Sequence, residues 1–255
     1  MTWQALVLAG TRAGAADPVA VATGVAHKAF APVAGKPMIE RVLATLAAVP
    51  EIAAITVSIE DSGAPVDTLA TAPARITAAA SPARSVAEGL AATGTPLLVT
   101  TADHPLLTAA MVTDFLRDAA ASWADIAAGL SPRPVVERAG NTAKRTYLKF
   151  ADAEFSGCNL FALTTQRAVN AVRFWQAVES DRKNPLRIAR HLGPVTLARY
   201  AAGRLSSAQA AAALGKKAGC RAAIIPVHYP DAAHDVDKPA DLAFAEARLA
   251  ARETA

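Results

Sequence analysis

Cysteine is scarce in this sequence, and long apolar runs are absent from it. Only two cysteines occur, Cys158 and Cys220. So few thiols favour reduced side chains in a cytoplasmic protein, although a single disulfide stays open. No apolar run approaches the roughly 18 to 20 residues that a membrane-spanning helix needs, and the first residues lack the basic region and the cleavage site of a secretory signal. We therefore expect a cytoplasmic protein with no transmembrane segment.

Aromatic residues and a strong charge imbalance are lacking as well. Aromatic side chains make up 5% of the chain, and the formal net charge is +4. Proteins that bind nucleic acid combine a strongly basic surface with stacking aromatic side chains, so we expect no nucleic-acid partner. The mild positive charge does suit a small anionic ligand.

What the sequence does contain is a regular alternation of short apolar runs and longer amphipathic segments. This alternation is typical of β-α-β units around a mainly parallel sheet. The predicted strands are 3–9, 52–59, 74–78, 95–101 and 125–130. The predicted helices are 37–48, 82–92, 106–121 and 164–178. At 255 residues, with no internal repeat and no linker, the chain is expected to form one domain over 1–255.

The regularity loosens in the second half of the chain. The segment 131–147 is polar and predicts an excursion away from the sheet, whereas 149–163 predicts a strand that returns to it. A basic helical segment occupies about 165–220. A last strand at 221–229 leads into a terminal helix.

The first forty residues contain an anion-binding pattern. An apolar strand breaks at Gly10 into a loop that carries Arg12 and Lys28, and a second lysine, Lys36, precedes a helix. Backbone N–H groups of a glycine turn can cradle a phosphate, and lysine supplies a point charge. The alternative is a surface loop that only joins the strand to the helix.

Two common phosphate-binding patterns are excluded in this stretch. A Walker loop needs a glycine five residues before its Gly-Lys pair and a serine or threonine after it. The pair at 35–36 instead has Phe30 upstream and Pro37 downstream. The dinucleotide fingerprint needs three close glycines at a strand–helix turn, and only Gly10 and Gly14 stand there.

Acidic side chains follow two other segments of the predicted sheet. Asp103 comes just after the apolar strand 95–101, and open α/β sheets bind ligands outside the carboxyl ends of their strands. A carboxylate there can hold a hard cation such as Mg²⁺, or it can cap the helix that begins at Pro105. Asp235 and Asp237 alternate along an extended segment and project to one side. They can complete the metal site or favour the start of the terminal helix.

Helix starts supply a further candidate site. Arg84 and Ser85 lie in the first turn of a helix that Ser81 is predicted to cap. The free amides of that turn, together with Arg84, can hold a nucleotide base or phosphate, and a solvated arginine is the alternative. Thr108 and Thr164 are predicted to open or cap two later helices.

Three stretches in a fixed order resemble a known family. The first is LAG with Arg12, Lys28 and PVAGKPM, the second is TTADHPLL (100–107), and the third is DVDKPADL (235–242). Together they resemble the MobA-like nucleotidyltransferases, the group that holds molybdenum-cofactor guanylyltransferase and the sugar-phosphate and methylerythritol-phosphate cytidylyltransferases. The resemblance implies a single α/β domain of the GT-A-like, Rossmann-related kind, with a mainly parallel mixed sheet flanked by helices. It also implies transfer of NMP from an NTP to a phosphorylated acceptor, with release of pyrophosphate.

The resemblance assigns roles to individual residues. Lys28 and Arg12 would be catalytic, with Lys28 at the α-phosphate, and Asp103 and Asp237 would bind Mg²⁺. The nucleotide would be bound by Leu8, Ala9, Gly10, Thr11, Arg84 and Ser85. The sequence departs from the family pattern in three places: Thr11 stands at a usual glycine, fifteen residues separate Arg12 from Lys28, and Arg84 directly precedes Ser85.

The acceptor side is the least defined by the sequence. Asn159 on the returning strand and Arg182 and Lys183 in the basic segment are the candidate acceptor-binding residues, and a solvated basic surface is the alternative. A lipid-precursor acceptor would allow peripheral contact with an anionic membrane. CTP or GTP is the favoured nucleotide, and the oligomeric state stays open. A non-catalytic nucleotide-binding protein on the same fold and a GT-A glycosyltransferase that uses a nucleotide sugar are the alternative functions.

Overall fold

The computed structural model describes residues 1–11, 16–60, 65–140, 145–181 and 193–253. Its strands are β1 (Trp3–Leu8), β2 (Pro32–Val33), β3 (Lys36–Pro37), β4 (Ile52–Ile59), β5 (Ala74–Thr77), β6 (Leu97–Thr101), β7 (Ile126–Pro132), β8 (Leu148–Lys149), β9 (Glu154–Leu163) and β10 (Ala222–Pro226). Its α-helices are α1 (Pro18–Thr23), α2 (Met38–Ala47), α3 (Pro82–Thr93), α4 (Ala109–Ala121), α5 (Arg133–Glu137), α6 (Ala168–Asp181), α7 (Pro194–Ala201), α8 (Ser207–Ala218) and α9 (Pro239–Glu253). Two 3₁₀ turns lie at Lys28–Phe30 and Val66–Thr68.

Eight of the strands form one mixed sheet. Their order is β10-β7-β9-β6-β1-β4-β5, with β8 paired to β9. The pairs β1–β4, β1–β6, β4–β5 and β7–β10 are parallel, and β9 runs antiparallel between β6 and β7. The predicted fold class, a mainly parallel mixed sheet flanked by helices, is confirmed. Buried parallel strands have continuous apolar sequences that are easy to recognise. For this reason the first and last residues of the five predicted strands lie within two residues of the observed ones.

Helices cover both faces of the sheet because successive side chains of β1 point to opposite sides. Ala5 and Val7 belong to the core cluster that includes α2 and α4, whereas Leu6 belongs to the cluster that includes α3 and α6. The close approach of α3 to β1 requires glycine at position 89, because a Cβ there would lie 2.4 Å from the Leu6 side chain.

A third apolar cluster attaches the C-terminal helix to the edge of the sheet. Its buried members come from α1, the residue before β2, β2 itself, the start of α2, the chain after β6, the segment before α9 and α9; they include Val19, Val33, Leu106, Val236 and Leu249. The N–H of Val236 donates to the Asp103 carbonyl oxygen at 2.8 Å. This cluster therefore brings the C-terminal DVDK stretch beside the end of β6.

The local elements between β1 and α2 were not predicted. They are α1, the 3₁₀ turn that begins at Lys28, and the β2–β3 hairpin. The hairpin turns through Ala34 and Gly35, whose φ angles of 46° and 75° are left-handed and match a two-residue type I′ turn. Arg41 fixes this turn by donating to the carbonyl oxygens of Val33 at 2.7 Å and Ala34 at 2.8 Å.

Two of the three predicted helix caps are confirmed. Ser81 accepts the N–H of Arg84, and Thr108 accepts the N–H of Met111. The third prediction is wrong, because the Thr164 hydroxyl donates to the Ala124 carbonyl oxygen and α6 begins four residues later.

The structure also bears on the expectations for the segment after 131, for the cysteines and for a membrane-spanning helix. The chain does not leave the sheet directly at 131, because β7 continues to Pro132 and passes straight into α5. Both cysteines are free. Within the described residues, no helix is long and apolar enough to cross a membrane.

Candidate active site

The carboxyl ends of β1, β4 and β6 meet at one edge of the sheet, and the main predicted site residues collect there. The N–H of Ala9 donates to the Ser58 carbonyl oxygen, and the N–H of Ala102 donates to the Leu8 carbonyl oxygen. The segments that follow the three strands therefore start from neighbouring positions. Asp103 follows β6 at this edge.

Lys28, Asp103 and Asp237 form a lysine–aspartate triad. The Lys28 Nζ donates to Asp103 Oδ2 and to Asp237 Oδ1, at 2.8 Å in each case. The side chains of Lys28 and Asp103 are 15% and 23% exposed, whereas that of Asp237 is 63% exposed. The triad is thus anchored on its inner side by Asp103 and open to an incoming ligand on the side of Asp237.

The charges of the triad hold Lys28 in its protonated form. Burial by itself lowers the pKa of the Lys28 ammonium, but Asp103 and Asp237 outweigh it and raise that pKa well above its usual value. The second oxygen of Asp103, Oδ1, is buried and has no hydrogen-bond partner among the described residues. Two carboxylates and one ammonium leave the triad with an excess of one negative charge, so it can accept a further cation.

Asp235 lies next to the triad in a different environment. Its Oδ2 accepts a hydrogen bond from Asn159 Nδ2 at 3.4 Å, and its Oδ1 lies 3.7 Å from Arg145 Nη1. Burial, followed by the neighbouring charges of Asp103 and Asp237, raises the pKa of the Asp235 carboxyl. The acid at 235 is therefore the less exposed of the two and contacts protein partners, whereas the acid at 237 faces the open side.

A β-bulge aims Asn159 at this acid. The register between β7 and β9 shifts between Ala128 and Leu130, and Asn159 has a left-handed φ of 50°. Bulges commonly re-aim a side chain next to an active site. Asn159, predicted from sequence as an acceptor-side residue, thus lies beside the site, although its amide contacts Asp235 within the protein.

Glu60 is a site residue that the sequence patterns missed. It follows β4, and its Oε1 accepts hydrogen bonds from the N–H and the hydroxyl of Thr11. Its Oε2 lies 3.1 Å from His27 Nε2. Burial raises the pKa of the Glu60 carboxyl, but its hydrogen bonds, led by the backbone amides of Glu60 and Thr11, lower that pKa below its usual value. Its position directly after a buried strand was the one available signal.

The predicted nucleotide-binding residues lie at the same edge, and one of them is buried there. Gly10 is packed closely, because a Cβ there would lie 3.0 Å from that of Ala78 in the segment before α3. Arg84 is exposed in the first turn of α3, where it is accessible to a ligand. Ser85 is buried, and its hydroxyl accepts the N–H of Ala79 at 2.9 Å. Ser85 therefore supports the loop before α3 through that bond.

Four of the predicted residues are not among those that the structure places at the triad, three of them because they are not described. Arg12, Arg182 and Lys183 lie outside the described residues. Lys36 lies on the hairpin and lines a separate cleft of about 290 Å³ together with Glu40 and Arg252. The alternative of Asp103 as a helix cap is wrong, because α4 begins at Ala109 and is capped by Thr108.

The metal prediction rests on two acids. Across the parts of the chain that the structure describes, no group of three or more His, Cys, Asp or Glu side chains is arranged to hold a metal ion. Mg²⁺, however, commonly uses only one or two protein carboxylates and completes its shell with water and substrate phosphates. The oxygens of Asp103 and Asp237 fit such a site, since they already accept from one cation and Asp103 Oδ1 is unpartnered within the described residues.

Behind the triad, a buried ion cluster fixes the C-terminal helix. Asp231 is 4% exposed and accepts from Arg248 Nε and Nη2 at 2.9 Å each and from Arg252 Nη2 at 2.8 Å. His104 is buried beside the carbonyl oxygen of Asp231. Burial, the leading cause, lowers the pKa of His104 to about 4, so that this ring is neutral at physiological pH.

The comparisons with known proteins bear on the family and on the fold. A family model described as the MobA-like NTP transferase domain matches residues 5–139. The comparison with curated proteins found no match. Among solved structures, a hypothetical transferase from Thermus thermophilus is 30% identical, with a TM-score of 0.81, and the alignment covers 95% of this chain and 100% of that one.

Two more distant structures share the fold. A 2-C-methyl-D-erythritol 4-phosphate cytidylyltransferase, also from Thermus thermophilus, is 18% identical with a TM-score of 0.56, over 97% of this chain and 98% of that one. A CMP:2-keto-3-deoxy-manno-octonic acid synthetase complexed with CTP is 15% identical with a TM-score of 0.57, over 98% of this chain and 99% of that one. At these identities the likeness concerns the fold.

The matched region covers more than half of the chain and contains both Lys28 and Asp103. The resemblance seen in the sequence is thereby confirmed, and so is the expectation of a nucleotidyltransferase. The chain belongs to the MobA-like NTP transferase domain family.

Proposed function

We propose that this nucleotidyltransferase is Mg²⁺-dependent and transfers NMP from CTP or GTP to a phosphorylated small-molecule acceptor, with release of pyrophosphate. The observation that carries the proposal is the triad, in which Lys28 contacts Asp103 and Asp237 at the carboxyl edge of the sheet. A permanently charged ammonium beside two hard oxygen donors suits a triphosphate, whose charge must be neutralised before an anion can attack it.

The reaction needs placement and charge more than proton transfer. An oxygen of the acceptor phosphate attacks the α-phosphorus of the NTP, and a new P–O bond forms. The bond between the α-phosphorus and the bridging oxygen breaks, and pyrophosphate leaves with that electron pair. The attacking phosphate is already ionised, so no general base is required. Lys28 would stabilise the charge that develops around the α-phosphate, as preorganised cations do in phosphoryl transfer.

Asp103 and Asp237 are the residues that would hold Mg²⁺. When bound, the metal supplies neutralisation of phosphate charge and orientation of the phosphate groups. Lys28 would exchange its carboxylate partners for phosphate oxygens as the triphosphate binds. The side chain of Asp237 is mostly exposed, and it would face the incoming triphosphate.

The choice between CTP and GTP rests on family likeness. Two structures of the same fold are named a cytidylyltransferase and a synthetase complexed with CTP, and that likeness supports CTP. The stretch that holds Arg84 and Ser85 resembles the Arg-x-x-Ser-Val helix of the cytidylyltransferases, but here the arginine and the serine are adjacent, which weakens the case for CTP. GTP stays in the proposal because the family model is MobA-like.

A nucleotide and acceptor screen tests the proposal. A bound nucleotide raises the melting temperature by mass action, so we expect CTP or GTP with Mg²⁺ to raise it more than ATP or UTP does. Pyrophosphate release is then measured with that NTP against phosphorylated sugars and polyols, including 2-C-methyl-D-erythritol 4-phosphate. Release that depends on both Mg²⁺ and a phosphorylated acceptor is the expected result. Equal shifts with all four nucleotides and no release with any acceptor would reject the proposed substrates.

A further inference from the structure

Glu60 connects two segments that are far apart in the chain. One is Thr11, three residues after the end of β1; its N–H and its hydroxyl both donate to Glu60 Oε1. The other is His27, which lies 3.1 Å from Glu60 Oε2 and directly precedes Lys28. Each oxygen of one carboxylate thus contacts a different segment. The Glu60 and His27 side chains are 29% and 13% exposed, so the contacts are partly shielded from water.

The contacts of His27 define its ring orientation. The Nδ1 atom accepts the N–H of Ala29 at 3.2 Å, so the proton of the neutral ring lies on Nε2, where it is donated to Glu60. The ring also meets Phe30 edge-on at 5.9 Å between centroids. His27 is therefore held from both sides, by Glu60 and by the 3₁₀ turn that begins at Lys28.

This turn determines where the Lys28 ammonium lies. Two local hydrogen bonds form the turn: the N–H of Phe30 donates to the His27 carbonyl oxygen, and the N–H of Ala31 donates to the Lys28 carbonyl oxygen. A turn of three residues has little stability of its own, because short 3₁₀ segments have poor hydrogen-bond geometry. An outside anchor is needed to keep its first residue in place, and the His27–Glu60 contact supplies one.

We propose that Glu60 is a positioning residue for Lys28, acting through His27 and joining the Lys28 turn to the start of the nucleotide loop at Thr11. The inference rests on the proposed function only in taking Lys28 as the cation of the α-phosphate. It concerns a side chain that follows β4 and forms neither a hydrogen bond nor an ion pair with Lys28, whose partners in the described structure are Asp103 and Asp237. Small displacements of a catalytic group are costly in rate, since charge stabilisation depends on geometry.

Two variants remove the anchor in different ways. Glu60→Gln keeps the size of the side chain but replaces one acceptor oxygen with an NH₂ group. This group then faces a donor, the N–H of either Thr11 or His27. His27→Asn keeps a side-chain oxygen suited to capping the turn but is too short to reach Glu60. Glu88→Gln, the same chemical change on the exposed face of α3, is the matched control.

Hydrogen exchange measures the anchor directly and needs no substrate. In Glu60→Gln and His27→Asn we expect the amides of Ala29–Ala31 to exchange roughly 10-fold faster than in the parent protein, in line with loss of a local constraint. The melting temperature, measured alongside, identifies a variant that has lost its fold. If Glu60→Gln is such a variant, the exchange rates of His27→Asn test the proposal. Unchanged exchange in the folded variants would overturn the proposal, and so would equal acceleration in Glu88→Gln.

A double-mutant cycle measures the link to Lys28. With the NTP and acceptor found by the screen, Glu60→Gln should lower kcat roughly 10-fold with a smaller change in KM. In a Lys28→Ala background the same change should cost nothing further, because residues that act as a unit are not additive. An equal loss in both backgrounds would overturn the positioning role. Full turnover of Lys28→Ala alone would instead reject the role of Lys28 in the proposed function, and the exchange result would still decide whether Glu60 holds the turn.

Discussion

At the scale of single residues, the site depends on how three acids share two cations. Lys28 pairs with Asp103 and Asp237, while Asp235 accepts a hydrogen bond from Asn159 and lies near Arg145. The two neighbouring acids of the C-terminal stretch therefore differ in exposure and in partner. This difference assigns the acid at 237, and not the acid at 235, to the open side of the site.

Metal binding should distinguish these two acids. We expect Asp237→Asn to weaken Mn²⁺ binding in the presence of the NTP by roughly 10-fold or more. Removing a group that supports a metal site typically lowers metal affinity by this factor. Asp235→Asn should change it by less than about threefold, because the Asp235 carboxylate already accepts from Asn159 and lies near Arg145 within the protein. Mn²⁺ titration followed by electron paramagnetic resonance gives both values. The opposite ranking would place the metal at Asp235.

The sequence predicts residues that stand in recognisable positions and misses the others. Asp103 follows an apolar strand, and Asp237 lies in an alternating acidic stretch, so both could be identified before any coordinates. Glu60 also follows a strand, but one acidic residue there carries no further pattern. Arg145 lies in a polar segment whose return toward the site depends on tertiary contacts with Ala233 and Asp235, and no local pattern predicts such contacts.

At the scale of elements, α9 holds the C-terminal acids in place. Arg248 and Arg252 of this helix bind the buried Asp231 carboxylate, and the third apolar cluster packs the same helix against α1 and the hairpin. The stretch from Asp231 to Asp237 thus has an anchored start, and the contact of Val236 with Asp103 fixes its other end.

Removing this anchor should destabilise the fold. Asp231→Asn leaves two arginines without their carboxylate, and breaking a buried ion pair from one side typically costs about 3–5 kcal/mol. Urea unfolding at pH 7 should show that the free energy of unfolding falls by this order of magnitude. Asp118→Asn, which removes an exposed partner of Arg117 on α4, should cost less than about 1 kcal/mol. Equal effects of the two variants would contradict the anchoring role.

The same anchor has a defined pH dependence. Burial raises the pKa of Asp231, but hydrogen bonds from Arg248 and Arg252 lower it below the ordinary value of 3.8. A carboxyl with a depressed folded pKa contributes its stability in full above the unfolded pKa, and this contribution is lost as the pH falls through the folded pKa. The stability difference between the parent protein and Asp231→Asn should therefore be constant near neutrality and shrink below pH 3.8.

Elements differ in how well the sequence predicts them. The central strands were predicted closely because each is a short apolar run bounded by polar residues. The hairpin at β2–β3 depends on Arg41 from the next helix, and α1 on packing against the distant α9. Such elements are stabilised by partners elsewhere in the chain, so local propensity leaves them undetermined.

At the scale of the whole molecule, both halves of the chain contribute to one site. The family match ends at residue 139, and it includes Lys28 and Asp103 but not Asp237. The second half contributes β9 with Asn159, the stretch to Asp237 and the helix that anchors it. The alignment with the Thermus thermophilus transferase extends over 95% of this chain, so this C-terminal contribution belongs to a shared architecture.

The central claim is that the Lys28 ammonium, held by Asp103 and Asp237, is the cation that serves the α-phosphate. Steady-state pyrophosphate release by Lys28→Ala tests it most directly, with Lys149→Ala, an exposed lysine on β8, as the matched control. The account predicts that Lys28→Ala loses roughly 10²-fold or more in kcat, comparable to the loss of one preorganised charge-stabilising donor, while Lys149→Ala keeps the parent rate. A folded Lys28→Ala protein that releases pyrophosphate at the parent rate would contradict it.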